Sequence, residues 1–302
     1  MEHTYIPAFT LEPPKKAIER NKPAAIQTPR FIDDVTAGRV ELPTIPRVVQ
    51  RLIAALRDPD IDSRKIGEAL SQDPVLSAKV LRVANSSFFG GERSMASIDA
   101  AISLIGTQAL SRLIMACGVS TSFKEVPGID LRIFWRDALV AGTAATKLAS
   151  ELSADAEEAY VCGLLHATGH LILCQSYPEI AQAMFAGFEV VRGAELAEIE
   201  LGAFGIDHAE VGALWVQSLG FPTTVSATIG KAAKPPAADD SGLDLSLRAA
   251  CGLAAAIAAN ESPEQALANL PPGVRARFTL NGQPAPAFGK LYESLQNTEP
   301  ML

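Results

Sequence analysis

The sequence predicts an all-α protein of two helical lobes followed by a further C-terminal helical segment. Hydrophobic residues make up 48% of the 302 residues and aromatics only 6%. The core must therefore be aliphatic, and the Ala and Leu that dominate it favour helix-on-helix packing. Apolar residues recur at three- and four-residue spacing, with Asp-Pro, Ser and Gly standing where helices should begin and end. No segment shows a convincing strand period, and there is no internal repeat.

Residues 1–28 carry Pro7, Pro13, Pro14 and Pro23 among mixed charges and predict a flexible arm. Helical patterning begins near Arg30. From Pro46, the residues Val48, Val49, Leu52, Ile53 and Leu56 share a helix face, stopped by Asp58-Pro59. A second helix follows Asp62, with Ile66, Ala69 and Leu70 inward. Asp73-Pro74 supplies an N-cap and a proline in the first turn for a helix that should bury Val75, Leu76, Val80, Leu81 and Ala84. Asn85-Ser86 reads as its C-terminal cap.

After Gly90-Gly91, Ser97 caps a short helix through Ile98, Ala101, Ile102 and Ile105, closed by Gly106. Thr107 opens the next, through Leu110, Leu113, Ile114 and Cys117. The turn at Pro127-Gly128 then divides the lobes, 29–126 and 127–231. The second lobe should hold helices at Leu131–Leu152, Ala156–Cys174, Pro178–Ala186, Ala194–Phe204, Ala209–Leu219 and Thr223–Lys231. Residues 232–242, rich in Ala, Pro and Asp, read as a linker. The extension at 243–302 opens with an apolar helix, Leu243–Ala259, and ends in a weaker helical tail.

A net charge of -8 argues against a nucleic-acid binder with a broad basic face. Cys117, Cys162, Cys174 and Cys251 form no CxxC pair and read as reduced buried thiols. There is no apolar leader after Met1 and no run long enough to span a membrane, so the expected location is the cytoplasm, without membrane insertion.

Several motifs stand in order along the chain. In the first lobe they are Leu42-Pro43-Thr44-Ile45-Pro46, Asp73-Pro74-Val75-Leu76, Leu81-Arg82-Val83-Ala84-Asn85-Ser86 and Ser97-Ile98 through Ile105-Gly106. In the second they are Phe134-Trp135-Arg136, Gly163-Leu164-Leu165-His166, Glu200, His208-Ala209-Glu210-Val211-Gly212 and Gly220-Phe221-Pro222. Together they resemble the HDOD family, the HD-related output domains of bacterial signalling proteins. The resemblance covers about residues 30–231. It implies a two-lobed domain whose second lobe resembles the metal-dependent HD phosphohydrolases, and a regulatory rather than catalytic role. No receiver or cyclic-dinucleotide module accompanies it, which implies a stand-alone regulator with stress response, motility or biofilm behaviour among its outputs.

The same resemblance allows the catalytic ligands to be counted. The HD pair itself is His166-Ala167, a methyl standing where a carboxylate should ligate a metal. Asp137 stands where catalytic relatives often carry His, His208 stands at a downstream ligand position, and Lys231 lies in the late segment that should hold another His. His170 matches a lysine that touches phosphate in catalytic relatives. These six residues, Asp137, His166, Ala167, His170, His208 and Lys231, are the expected remnant of the HD pocket, with no catalytic residue, no cofactor and no metal. The runner-up is a weak phosphohydrolase of a (cyclic) nucleotide using one metal on Asp137, His166 and His208. A third reading is a nucleotide or anion sensor without turnover, drawn by the charge of Lys231.

His166 and His208 are expected as core histidines bonded to each other or to Asp137, and His170 as a partly exposed residue bonded locally. His166 and His170 have zincin spacing, but Ala167 stands where that motif needs Glu. Trp135 and Trp215 should anchor the core. Glu157-Glu158 should be a solvated helix start. Arg47, Arg51 and Arg57 should be scattered in solvent unless they form an anionic contact. Phe88, Phe89 and Met95 are the expected partner-binding patch, and the expected partner is another signalling protein.

Overall fold

The computed structural model describes residues 30–55, 67–68, 70–85, 97–185 and 193–297. The expectations placed on residues 1–28, Arg57, Ser86, Phe88, Phe89 and Met95 lie outside these residues.

The first lobe is built around one central helix. Its elements are α1 (Phe31–Thr36), α2 (Arg47–Ala55), α3 (Pro74–Ala84), α4 (Ile98–Ile105) and α5 (Thr107–Ser120), with α2, α3 and α4 all packed against α5. The caps read from sequence are present: Asp73 accepts from the Leu76 amide at 3.0 Å and Ser97 from that of Ala100 at 3.1 Å. Gly106, at φ 83°, both closes α4 and opens α5. One inward assignment fails. Val75 is 77% exposed, because Leu76, Val80, Val83 and Ala84 set the buried stripe and Val75 lies about a quarter-turn off it.

The second lobe comprises α6 (Leu131–Ala149), α7 (Ala156–Leu165), α8 (Thr168–Ser176), α9 (Pro178–Phe185), α10 (Gly193–Phe204), α11 (His208–Ser218) and α12 (Thr223–Lys231). A 3₁₀ turn at Ser150–Leu152 extends α6. The helix expected over Ala156–Cys174 is two helices, broken at His166–Ala167. The His166 imidazole Nδ1 lies 2.8 Å from the Gly163 carbonyl, the acceptor an unbroken helix would offer to the Ala167 amide. Thr168 Oγ1 likewise donates to the Leu165 carbonyl at 2.7 Å. Side chains compete with the backbone for the carbonyls of Gly163 and Leu165, and Ala167 leaves the helix at φ −108°, ψ 4°.

Beyond residue 231 the chain returns to the same core. It forms α13 (Gly242–Ala258), α14 (Pro263–Ala268), α15 (Pro272–Arg277), a hairpin of β1 (Thr279–Leu280) and β2 (Gln283–Pro284), and α16 (Pro286–Gln296). The hairpin was not read from sequence, although Asn281-Gly282, both with positive φ, is a strong two-residue turn signal. Helix α13 packs along α6 and against α7, and its Leu247, Leu253 and Ala250 belong to the same contiguous hydrophobic cluster as both lobes.

Trp135 and Trp215 are buried, as expected, on either side of Phe123, with ring centroids 6.1 and 5.8 Å from it. Trp215 Nε1 donates to the Pro43 carbonyl at 2.9 Å, so one indole joins the lobes. Glu157 is not simply solvated: Arg112 of α5 grips it through two nitrogens, at 2.6 and 3.2 Å. Glu158 accepts from Thr224 Oγ1 at 2.8 Å. Arg47 and Arg51 are exposed.

Candidate functional site

The fold brings the predicted remnant of the pocket into two different settings. The first is sealed. His170 of α8 and His208 at the start of α11 both approach Glu200 of α10, a residue with no exposed side-chain surface. Each Nδ1 lies 2.6 Å from a different carboxylate oxygen, and the His208 amide donates to Oε2 at 2.7 Å. Burial alone would raise the Glu200 pKa, but the hydrogen bonds from His170 and His208 and their charges overcome it and hold the carboxyl at about 2. Burial pulls the His208 pKa down, yet the bond to Glu200 and its charge hold it above the ordinary histidine value.

This corrects two expectations. His170 is buried, and its partner lies thirty positions away rather than nearby in sequence. His208 is bonded to Glu200, not to His166 or Asp137 as a partner. Sequence reasoning had placed Glu200 in the family string without giving it a role. The available signal was a carboxylate on the stripe of Ala197 and Phe204, both buried.

The backbones here approach closely because there is no side chain to hold them apart. A Cβ on Gly169 would stand 2.0 Å from the His208 carbonyl oxygen and 2.6 Å from the Gly212 nitrogen. Glycine at 169 is what lets α8 lie on α11 and puts His170 within reach of Glu200. Cys174, one turn along from His170, has its Sγ 3.8 Å from Nε2, but burial raises its thiol far out of the reactive range.

The second setting is the break between α7 and α8. His166 and Ala167 are half-buried at the break between α7 and α8. Burial opposes charging of the His166 imidazole, but Cys251 and the Gly163 carbonyl outweigh it and raise its pKa, with His208 acting against them. Cys251 belongs to α13, beyond the expected linker. The same helix reaches Lys231, whose Nζ donates to Asp244 Oδ2 at 2.9 Å. Asp244 also accepts from Thr228 Oγ1 at 2.8 Å and from both the amide and hydroxyl of Ser241 at 2.9 Å. These bonds outweigh the burial that would raise it and keep the carboxyl below its ordinary pKa. Lys231 therefore has a carboxylate from its own chain where an anion was expected.

Asp137 sits on α6 and its Oδ1 accepts from Arg136 at 3.0 and 3.2 Å. Among the described residues no three His, Cys, Asp or Glu side chains converge in a way that could hold a metal ion. The donors present do not fit the metal centre of an HD phosphohydrolase. Residue 167 offers a methyl where a carboxylate ligand is needed, residue 231 is a lysine where a further histidine is needed, and its ammonium is held by Asp244.

A family model described as the HDOD domain matches residues 42–235, well over half of the chain. The chain belongs to the HDOD family. Solved structures share this fold. A protein of Shewanella amazonensis SB2B carrying a provisional phosphohydrolase name is 28% identical, with a TM-score of 0.68 over 90% of this chain and 94% of that one. An HDOD domain protein of unknown function from Geobacter sulfurreducens is 22% identical, with a TM-score of 0.64 over 87% and 91%.

Among curated proteins, an uncharacterised protein of Treponema pallidum (strain Nichols) is 24% identical over 217 residues, 71% of this chain and 42% of that protein. The HDOD chain thus matches less than half the length of that relative. Among the described residues no helix is long and apolar enough to cross a membrane.

Proposed function

We propose that this HDOD protein is a non-catalytic signalling regulator that works by binding another protein, with stress response, motility or biofilm behaviour as its outputs. The observation that carries this reading is that residue 167 offers a methyl and that, among the described residues, no three His, Cys, Asp or Glu side chains converge on a metal position. His208 and His170 serve a buried carboxylate, His166 serves a backbone carbonyl, and Lys231 serves Asp244. Each is bonded within the protein, and the missing carboxylate at residue 167 has no evident substitute. A site that lacks a fitting donor set cannot position a metal-bound water for attack on a phosphate ester.

The alternative of an anion sensor without turnover loses support from the same geometry, because Asp244 already takes the ammonium of Lys231. The decisive experiment supplies the purified protein in turn with manganese, iron, nickel and zinc and assays cyclic dinucleotides and phosphate monoesters. No turnover above a protein-free control is expected. Metal-dependent hydrolysis that disappears in His166→Ala would overturn the reading. Affinity capture with the full chain as bait, followed by reciprocal binding of the purified candidate, addresses the partner.

A further inference from the structure

Cysteine meets histidine in two places, and the two pairs differ in access. In the first, Cys174 Sγ stands 3.8 Å from His170 Nε2, and both residues are buried. In the second, the side chain of Cys251 on α13 hydrogen-bonds with His166, and both residues are half-buried. Cys117, Cys162 and Cys174 are buried, which leaves Cys251 as the cysteine with surface open to solvent.

The Gly163 carbonyl decides what each nitrogen of His166 does. A carbonyl can only accept, so the nitrogen 2.8 Å from it, Nδ1, carries a proton. Nε2 is then the nitrogen that can take a proton from the thiol. Cys251, His166 and Gly163 thus form a nucleophile, a base and a group that orients the base. Helix α7 carries Gly163, His166 stands at its C-terminal end, and α13, packed against α7, brings the thiol. Cys251 lies outside residues 42–235, the segment matched by the family model. The Cys174 pair has the same two functional groups, but burial and the nearby charge of Glu200 both raise that thiol, and nothing from solvent reaches it in the folded protein.

We propose that Cys251 is a peroxide-reactive thiol for which His166 acts as the base. The sulfur attacks one oxygen of a small hydroperoxide and the O–O bond breaks. The thiol proton, taken up by Nε2, passes to the leaving oxygen, which departs as water or an alcohol. Sulfur is oxidised to the sulfenic acid and the peroxide is reduced. A hydroperoxide fits this pair because its reduction by a thiol requires one proton taken from sulfur and returned to oxygen, a transfer that a single adjacent imidazole performs. The product puts an S–OH at the contact between α13 and the break that separates α7 from α8. The reaction needs neither a metal nor a protein partner, so its test stands apart from those above.

The test exposes the full chain to hydrogen peroxide at neutral pH, quenches with catalase, and follows the free thiol at each of the four cysteines by differential alkylation and peptide mass spectrometry, in buffer and in urea. Cys251 should be oxidised about tenfold or more faster in the folded protein than in urea, while Cys174 should react only in urea. His166→Asn keeps an N–H near the Nδ1 position for the Gly163 carbonyl and has nothing at Nε2, so it should bring the folded rate at Cys251 down to the urea rate or below. A folded rate in the wild type no greater than the urea rate would overturn the proposal, since access without activation gives at most that. An unchanged rate in folded His166→Asn would overturn it as well.

Discussion

The buried cluster around Glu200 and the helix break at His166–Ala167 hold similar chemistry disposed in opposite ways. Around Glu200, α8, α10 and α11 contribute two imidazoles and a carboxylate that are all buried, each imidazole bonded through Nδ1 to the carboxylate. At the break, His166 and Ala167 are half-buried, and Cys251 and Asp244, which engage His166 and Lys231, arrive from α13, outside the segment matched by the family model. One side is held by the family's own helices and the other by the extension. The comparison separates residues that hold the fold together from residues that once could have faced a ligand, and it can be attacked from either side.

The largest effect is expected from Glu200→Ala. It strands two buried imidazoles beside each other, and breaking a buried, hydrogen-bonded charge pair in this way costs about 3–5 kcal/mol. Urea unfolding should show it, while loss of less than about 1 kcal/mol would mean the network is incidental. Close behind comes Gly169→Ala, whose new methyl meets backbone rather than a yielding side chain, for a loss of about 1–3 kcal/mol or more in the same measurement.

The network also predicts a pH dependence with two limbs. The folded pKa of Glu200, about 2, lies below its ordinary 4.5. Its contribution is therefore present above 4.5 and drains as pH falls from there toward 2. His208 has a folded value above its ordinary 6.5, so its contribution is present below 6.5 and is lost as pH rises through the folded value. Glu200→Gln should flatten both limbs of a plot of unfolding free energy against pH. A mutant profile parallel to the wild type would place the pH dependence elsewhere.

What the sequence disclosed follows from how local each signal is. Asp73, Ser97 and Gly106 mark helix ends through bonds and backbone angles within a few residues, so they could be read directly. The break at His166–Ala167 was hidden because it depends on two side chains choosing carbonyls over solvent. Glu200 was visible as a family residue, but its role exists only where three helices meet. Asp244 and Cys251 were invisible as site residues because an apparent linker separates them from the lobe they complete. Asp244→Ala tests that connection. It removes the partner of Lys231 and the acceptor of Ser241 and Thr228, for an expected loss of about 1–3 kcal/mol by thermal or urea unfolding. An unchanged stability would show that the extension is held by its apolar face alone.

The smallest effect is expected where the sequence seemed to invite the largest. Ala167→Asp restores the residue an HD pair lacks, and residue 167 is half-buried at a helix break, so stability should change by no more than about 0.5 kcal/mol. Activity should not appear either. The restored carboxylate would still lack a further histidine, because residue 231 is a lysine held by Asp244, and Asp137 is already bonded to Arg136. A single added oxygen ligand cannot assemble a catalytic metal site when the remaining donors do not converge. Metal analysis and a metal-supplemented phosphodiesterase assay on the purified variant check this together. Stoichiometric metal with turnover in the variant would show that one methyl, rather than the rearrangement of the whole pocket, separates this chain from a hydrolase.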